Sequence, residues 1–276
     1  MISFPNRIVL ELTPLCNLSC AMCPRHYITE HDGYMSIQLW KSLIDEIATV
    51  APNAIILPFW RGESLMHEGF SEMIQYALDK KIRIHLCTNG HFINEHNSDL
   101  LSKTEFVTFS IHSKIGYKKA KEFVSGKQEG KAFPTTQVSF VDCEKTAQKI
   151  LPVVKDSDDL DGFDSIRLYT EHTVEGEFGS SAALEDDVQR KYCPKLVNTL
   201  VIAADGSVSR CNHIWETETS LNANNMSIQE IWTSDYFKAV RKNYPDEKCG
   251  PCDQWSGHTQ GESWRKKNGK VKHIVF

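Results

Sequence analysis

Cys16-Asn17-Leu18-Ser19-Cys20-Ala21-Met22-Cys23 decides how this chain is read. Its three cysteines have C-x3-C-x2-C spacing and directly follow the apolar run Ile8 to Leu12. Three thiolates on one loop can hold three irons of a 4Fe-4S cube, which leaves the fourth iron without a protein ligand. Chemistry needs such an open position, whereas structural metal sites are usually closed. The spacing alone also suits zinc, with His26 as a fourth ligand.

Bulk properties narrow the frame. The 276 residues suit one large domain or one domain with a small appendage. Apolar residues make up 41% and charged residues 24%, as in a folded globular chain. A net charge of −5 carries no electrostatic footprint for nucleic acid. No apolar run reaches the ~18 residues of a membrane span. Met1 to Arg7 lacks the pattern of a secretory signal, so a cytoplasmic location is expected. Nine cysteines in a chain of this kind point to metal rather than to disulfides.

Strand-like runs rich in Val, Ile, Phe and Thr occur at Ile8–Thr13, Ala54–Phe59, Arg83–Thr88, Phe106–His112, Thr136–Val141 and Ser165–Thr170. They lack strict polar alternation, which suits strands buried on both faces. Helical patterns lie between them. Ser36–Val50 places Leu39, Leu43, Ile44 and Ile47 on one face, with Ser36 as N-cap. Gly69–Lys81 and Glu144–Lys155 follow the same logic, the latter weakened by Pro152. Lys114–Phe133 reads as part helix and part loop. Six β-then-α units predict an α/β fold with a parallel sheet, two units short of an eight-fold barrel.

Composition shifts to Glu, Gly and Ser around Glu171–Ala182, which suggests domains at 1–186 and 187–276. In the second, Leu200–Ala203 and Val208–Cys211 flank Asp205-Gly206, a β-hairpin signal. Ile228–Asn243 reads as one helix, and the basic stretch Arg265–His273 as a solvated tail.

Together these features resemble the radical S-adenosylmethionine (SAM) superfamily, whose fold implies a partial (β/α)6 barrel. The resemblance implies that the open iron chelates SAM. The reduced cluster would cleave SAM to a 5′-deoxyadenosyl radical, which takes a hydrogen atom from substrate. Gly62-Glu63-Ser64, after the second strand, resembles the family's Gly-Gly-Glu-Pro motif, with Arg61 in place of the first Gly and Ser64 in place of the Pro. By the same resemblance Asn89, Ser110 and Met22 are SAM contacts. An external low-potential reductant such as flavodoxin or ferredoxin is implied.

Cys193, Cys211, Cys249 and Cys252 form a second set, in which Gly206 to Cys211 is G-x4-C and Cys249 to Cys252 is C-x2-C. Zinc would suit four such thiolates equally well. With the segment Ser227 to Trp232, Phe237 and Arg241, the set resembles the SPASM/Twitch extension, a β-hairpin-plus-helix auxiliary-cluster domain. No cysteine follows Cys252, so the shorter Twitch form is expected, giving two 4Fe-4S clusters in all. Cys87 reads as a buried apolar residue. Cys143, after the fifth strand, is a candidate hydrogen-atom donor.

The layout most resembles Twitch-type members that oxidise an aminocyclitol alcohol, which implies a sugar or cyclitol substrate. Candidate bases at the strand ends are Arg167, Glu171, His172, Glu175, Glu177 and His112. Epimerisation and peptide modification are the alternative reactions. The first strand starts almost at once, without the N-terminal peptide-recognition domain of many peptide-modifying relatives, which favours a small molecule. A two-site zinc-binding interaction module is the non-enzyme alternative.

Overall fold

A computed structural model describes residues 3–27, 33–128, 131–170, 193–215, 217, 220–249, 252, 261–267 and 270–275. In chain order the elements are β1 (Arg7–Leu10), α1 (Ile37–Val50), β2 (Ile55–Leu57), α2 (Phe70–Asp79), β3 (Arg83–Thr88), α3 (Glu95–Ser102), β4 (Phe106–Ser110), α4 (Lys114–Ser125), β5 (Thr135–Val141) and α5 (Lys145–Lys155). They continue with β6 (Ser165–Tyr169), α6 (Pro194–Asn198), β7 (Thr199–Ile202), β8 (Val208–Ser209), α7 (Ile228–Trp232), α8 (Asp235–Lys242), β9 (Gly261–Lys267) and β10 (Lys270–Val275).

All six expected strands form, and β1 to β6 pair in parallel, each with its neighbour in sequence. The pairing order is β10-β9-β6-β5-β4-β3-β2-β1-β7-β8, an open ladder. This is the expected α/β fold with a partial barrel. No described helix is long and apolar enough to cross a membrane.

The chain divides into two compact units, and the first comprises Met1–Ser19, Cys23–Ile84 and His172–His258. Here β1 is buried on both sides. Ile8 and Leu10 are fully buried, and Val9 packs with Leu57 and Val201 on the opposite face. Helix α1 starts where Ser36 Oγ accepts from the Leu39 N–H (3.1 Å), and it buries Leu39, Trp40, Leu43, Ile44 and Ile47. Trp40 Nε1 donates to Met73 O (2.7 Å), which ties α1 to α2.

The Asp205-Gly206 turn joins β7 and β8 as an antiparallel hairpin, and β7 also pairs in parallel with β1. Ile228–Asn243 is not one helix. Ser227 and Ser234 each act as an N-cap, so the segment breaks at Thr233 into α7 and α8. Arg241 bridges the break, with its guanidinium 3.8 Å from the Trp232 ring centre and an N–H to Trp232 O (3.0 Å). The boundary expected near Asp187 lies outside the described residues.

The second unit comprises Cys20–Met22, His85–Glu171 and Thr259–Phe276. Its strands alternate. Val107, Phe109, Val138, Phe140 and Ile166 are buried on one face, and the other carries Ser110, Ser139 and Arg167. The C-terminal stretch is no solvated tail: β9 and β10 form a hairpin, and β9 pairs antiparallel with β6. The basic side chains Arg265, Lys266 and Lys267 are exposed, while Gly261 and Ser263 are buried.

Candidate active site and cluster sites

The first cysteine motif follows β1 on a loop braced by its own backbone. Thr13 Oγ1 donates to Gly33 O (2.8 Å) and accepts from the Leu15 N–H (3.2 Å). Arg25 Nε donates to Pro14 O (3.0 Å), and the Leu18 N–H points at Cys16 Sγ (3.5 Å). Cys16, Cys20, Met22 and Cys23 are all half-buried. Burial pushes the Cys23 thiol up, the Arg25 N–H lowers it, nearby Cys16 raises it, and the Arg25 charge lowers it.

The Gly62-Glu63-Ser64 segment lies against this loop. A β-carbon on Gly62 would stand 2.2 Å from Thr13 O and 2.5 Å from Leu15 O, so only glycine fits. The Glu63 N–H donates to Leu15 O (2.8 Å), and its buried carboxylate accepts from the Leu65 N–H (3.1 Å). Ser64 Oγ donates to Pro58 O. Arg61 is also buried and makes a fork-to-fork pair with Glu11: Nε to Oε1 at 2.8 Å and Nη2 to Oε2 at 2.7 Å. The sequence shows Arg61 only as a departure from the family motif, and its partner Glu11 carries no local signal.

In the second unit, Asn89 follows β3 and its Oδ1 accepts from the His91 N–H (3.0 Å). Ser110 ends β4, with Oγ 2.9 Å from His112 Nε2. His112 Nδ1 is buried and has no hydrogen-bond partner among the described residues. Burial pulls the His112 pKa below the ordinary histidine value, and the Glu144 charge offsets only part of this.

Arg167 lies on β6, its guanidinium 5.0 Å from the Tyr169 ring centre. Register places Ser110, Ser139, Arg167 and Ser263 in one row across β4, β5, β6 and β9. Ser139 and Ser263 had no motif to mark them. Cys143 is exposed on the turn after β5. Cys87 is half-buried, not buried as expected, because β3 alternates and Ile84, Leu86 and Thr88 take the buried positions. Glu171, His172, Glu175 and Glu177 lie outside the described residues.

The second cysteine set comes together. Cys193, Cys211, Cys249 and Cys252 line one cavity, with Lys195 and His213 beside them. Cys193 immediately precedes α6, Cys211 follows the β7–β8 hairpin, and the Cys252 N–H closes a turn on Cys249 O (3.2 Å). The His213 N–H points at Cys211 Sγ and Arg210 Nη2 at Cys249 Sγ, both at 3.5 Å. Asp246 pairs with Arg210 (2.6 Å), and its Oδ1 accepts from the Cys249 N–H (3.1 Å).

Burial pushes the Cys211 thiol up to about 11 and the Cys249 thiol up to about 12. Metal loading must therefore displace thiol protons. None of the nine cysteines forms a disulfide. Among the described residues no three His, Cys, Asp or Glu side chains converge on a single metal ion. A cube takes one thiolate per iron, so its cysteines ring a space, and these four residues fit that requirement.

Two family models match the chain. The radical SAM superfamily model covers residues 10–131, and the SPASM iron–sulfur cluster-binding domain covers residues 193–253. An S-adenosylmethionine-dependent nucleotide dehydratase of Selenomonas ruminantium is 29% identical over 84 residues, 30% of each chain. Mycofactocin maturase MftC of Mycobacterium tuberculosis is 27% identical over 107 residues, 39% of this chain and 27% of that protein. The matched stretches thus span under a third of these relatives' lengths.

Among solved structures, BtrN in complex with AdoMet and 2-DOIA superposes with a TM-score of 0.62 at 18% identity, covering 99% of this chain and 100% of BtrN. Streptococcus suis SuiB bound to precursor peptide SuiA gives 0.65 at 15% identity, covering 91% and 70%. At such identities these two likenesses concern the fold. A radical SAM domain implies a 4Fe-4S cluster and AdoMet, and a SPASM domain implies further iron–sulfur clusters. The chain thus carries a radical SAM domain followed by a SPASM iron–sulfur domain.

Proposed function

We propose that the chain dehydrogenates an alcohol carbon of a sugar or aminocyclitol. In this reading Cys16, Cys20 and Cys23 hold the AdoMet-cleaving cluster, and Cys193, Cys211, Cys249 and Cys252 hold one auxiliary cluster. When bound, these groups supply the 5′-deoxyadenosyl radical that takes a hydrogen atom and the acceptor for the second electron. Gly62, Glu63, Ser64, Asn89, Ser110 and Met22 contact AdoMet. A small low-potential protein such as flavodoxin or ferredoxin delivers the first electron.

One observation carries the reading. Four thiols ring a single cavity, enough to ligate every iron of a cube and leave none for substrate. Electron acceptance fits such a closed site. The full-length likeness to BtrN, whose complex holds AdoMet and 2-DOIA, supports the same reaction class.

His112 is the base that suits the hydroxyl proton. In the tautomer whose Nε2–H donates to Ser110, the unpartnered Nδ1 is free to accept, and burial keeps the ring neutral at neutral pH. Arg167, whose guanidinium carries N–H donors and no acceptor, orients hydroxyl groups rather than removing protons.

The test is anaerobic turnover with dithionite, AdoMet and a panel of carbon-deuterated sugars and aminocyclitols. Deuterium in 5′-deoxyadenosine together with a ketone product supports the reading. Recovered substrate carrying solvent deuterium, with no ketone, means epimerisation through a thiol such as Cys143. Turnover of peptides alone overturns the substrate class.

A further inference from the structure

Trp60 and Arg61 join the Gly62-Glu63 loop to the segment that follows the auxiliary ligand Cys211. Trp60 Nε1 donates to Asn212 O (3.0 Å), and Arg61 Nη1 donates to Trp215 O (3.0 Å). The Arg61 guanidinium stacks 4.3 Å from the Trp60 ring centre, which holds both side chains in one orientation.

Glu11, fully buried at the end of β1, completes the joint. Its carboxylate takes the Arg61 fork. It also accepts the Arg61 N–H (Oε1, 3.2 Å) and the Ala204 N–H of the β7–β8 hairpin (Oε2, 3.2 Å). A buried ion pair is weak evidence for stability in itself. This pair does something more specific: one carboxylate and one guanidinium fasten three backbone segments, around residues 61, 204 and 215. A glycine at position 61 would keep only the backbone N–H bond to Glu11 and none of the side-chain bonds.

We propose that Arg61 is a positioning residue that couples AdoMet binding to the order of the auxiliary-cluster loop. The inference rests on the reading that Gly62 and Glu63 meet AdoMet. A ligand seated on Gly62-Glu63 fixes residue 61, and through Glu11 and Trp215 it fixes residues 204 to 215. Coupling of this kind is reciprocal, so an ordered auxiliary loop also tightens AdoMet binding.

Amide hydrogen exchange on the cluster-loaded, oxidised enzyme tests this without turnover. Adding AdoMet is expected to slow exchange at the Ala204 amide and across residues 212 to 215 by about five-fold. In Glu11→Leu/Arg61→Met both charges go together, which strands neither in the interior. There the response at Ala204 is lost, and AdoMet binding measured by equilibrium dialysis weakens by about five-fold. AdoMet binding to the wild type with unchanged exchange at these residues overturns the coupling, whether or not the double variant folds. Full retention of the response in a folded double variant overturns it too. A different result, Gly62→Ala binding AdoMet as tightly as wild type, removes the underlying site reading instead.

Discussion

Gly62 and Thr13 touch through backbone alone: a β-carbon at residue 62 would stand 2.2 Å from the Thr13 carbonyl oxygen. The loop proposed to meet AdoMet is thereby pressed onto the segment that delivers Cys16. The neighbour that needs the room at this glycine is the chain's own backbone.

Gly62→Ala therefore forces the loop off the Thr13–Leu15 backbone. The expected cost is about 1–3 kcal/mol of stability, seen as a lower Tm. AdoMet binding is lost with it, measured by anaerobic equilibrium dialysis. Unchanged affinity would mean that the loop does not hold AdoMet.

The two cysteine sets are expected to fail differently. Cys16→Ala, Cys20→Ala or Cys23→Ala abolishes 5′-deoxyadenosine formation under dithionite. Cys249→Ala/Cys252→Ala leaves part of that cleavage but stops substrate oxidation and lowers bound iron by about half. Chromatography of the nucleoside and iron analysis of the anaerobic protein read both results. Wild-type product yield in the second variant would remove the electron-acceptor role.

His112 has a pH signature. Its folded pKa lies below the ordinary value because of burial, so the ring takes up its proton at a lower pH than an ordinary histidine. The acid limb of the kcat profile is therefore displaced downward. His112→Asn should lower kcat by about 10²–10⁴-fold and erase that limb. A profile with the same limb in the variant assigns the base elsewhere.

Asp164 ties β5 to β6. Its Oδ2 accepts from both the Thr136 N–H and Oγ1 at 2.8 Å, and Lys127 reaches Oδ1 at 2.9 Å. Burial pushes the carboxyl up, but the Thr136 N–H and the Lys127 contact outweigh it and hold the pKa below the ordinary value. A depressed carboxyl contributes stability above its unfolded pKa and loses it as pH falls through the folded one. Asp164→Ala should cost about 1–3 kcal/mol at pH 7. The gap from wild type should shrink in acid, as urea unfolding at both conditions would reveal.

Apolar runs and caps were legible from the residues. The Arg83–Thr88 limits match β3, Ser36 caps α1, and Asp205-Gly206 turns the β7–β8 hairpin. Elements without an apolar signature were not. Helix α3 buries only Asn97, Leu100 and Leu101 and is held at its start by the reciprocal Asn94–Asn97 cap. Strands β9 and β10 are largely exposed and basic, so nothing in their composition distinguishes them from a solvated tail. The cysteines stood out because C-x3-C-x2-C and C-x2-C are local patterns. The Glu11–Arg61 pair did not, since 50 positions separate its members and only the fold brings them together.

Because β7 lies alongside β1, the region bearing Cys193 to Cys252 is no detachable accessory. A product ending short of Cys193 would strip Arg7–Leu10 of four registered partners and expose a raw flank of amides and carbonyls to any neighbouring molecule. Grafting this metal-binding tail onto a foreign scaffold would likewise require transplanting the opening strand beside which it was built.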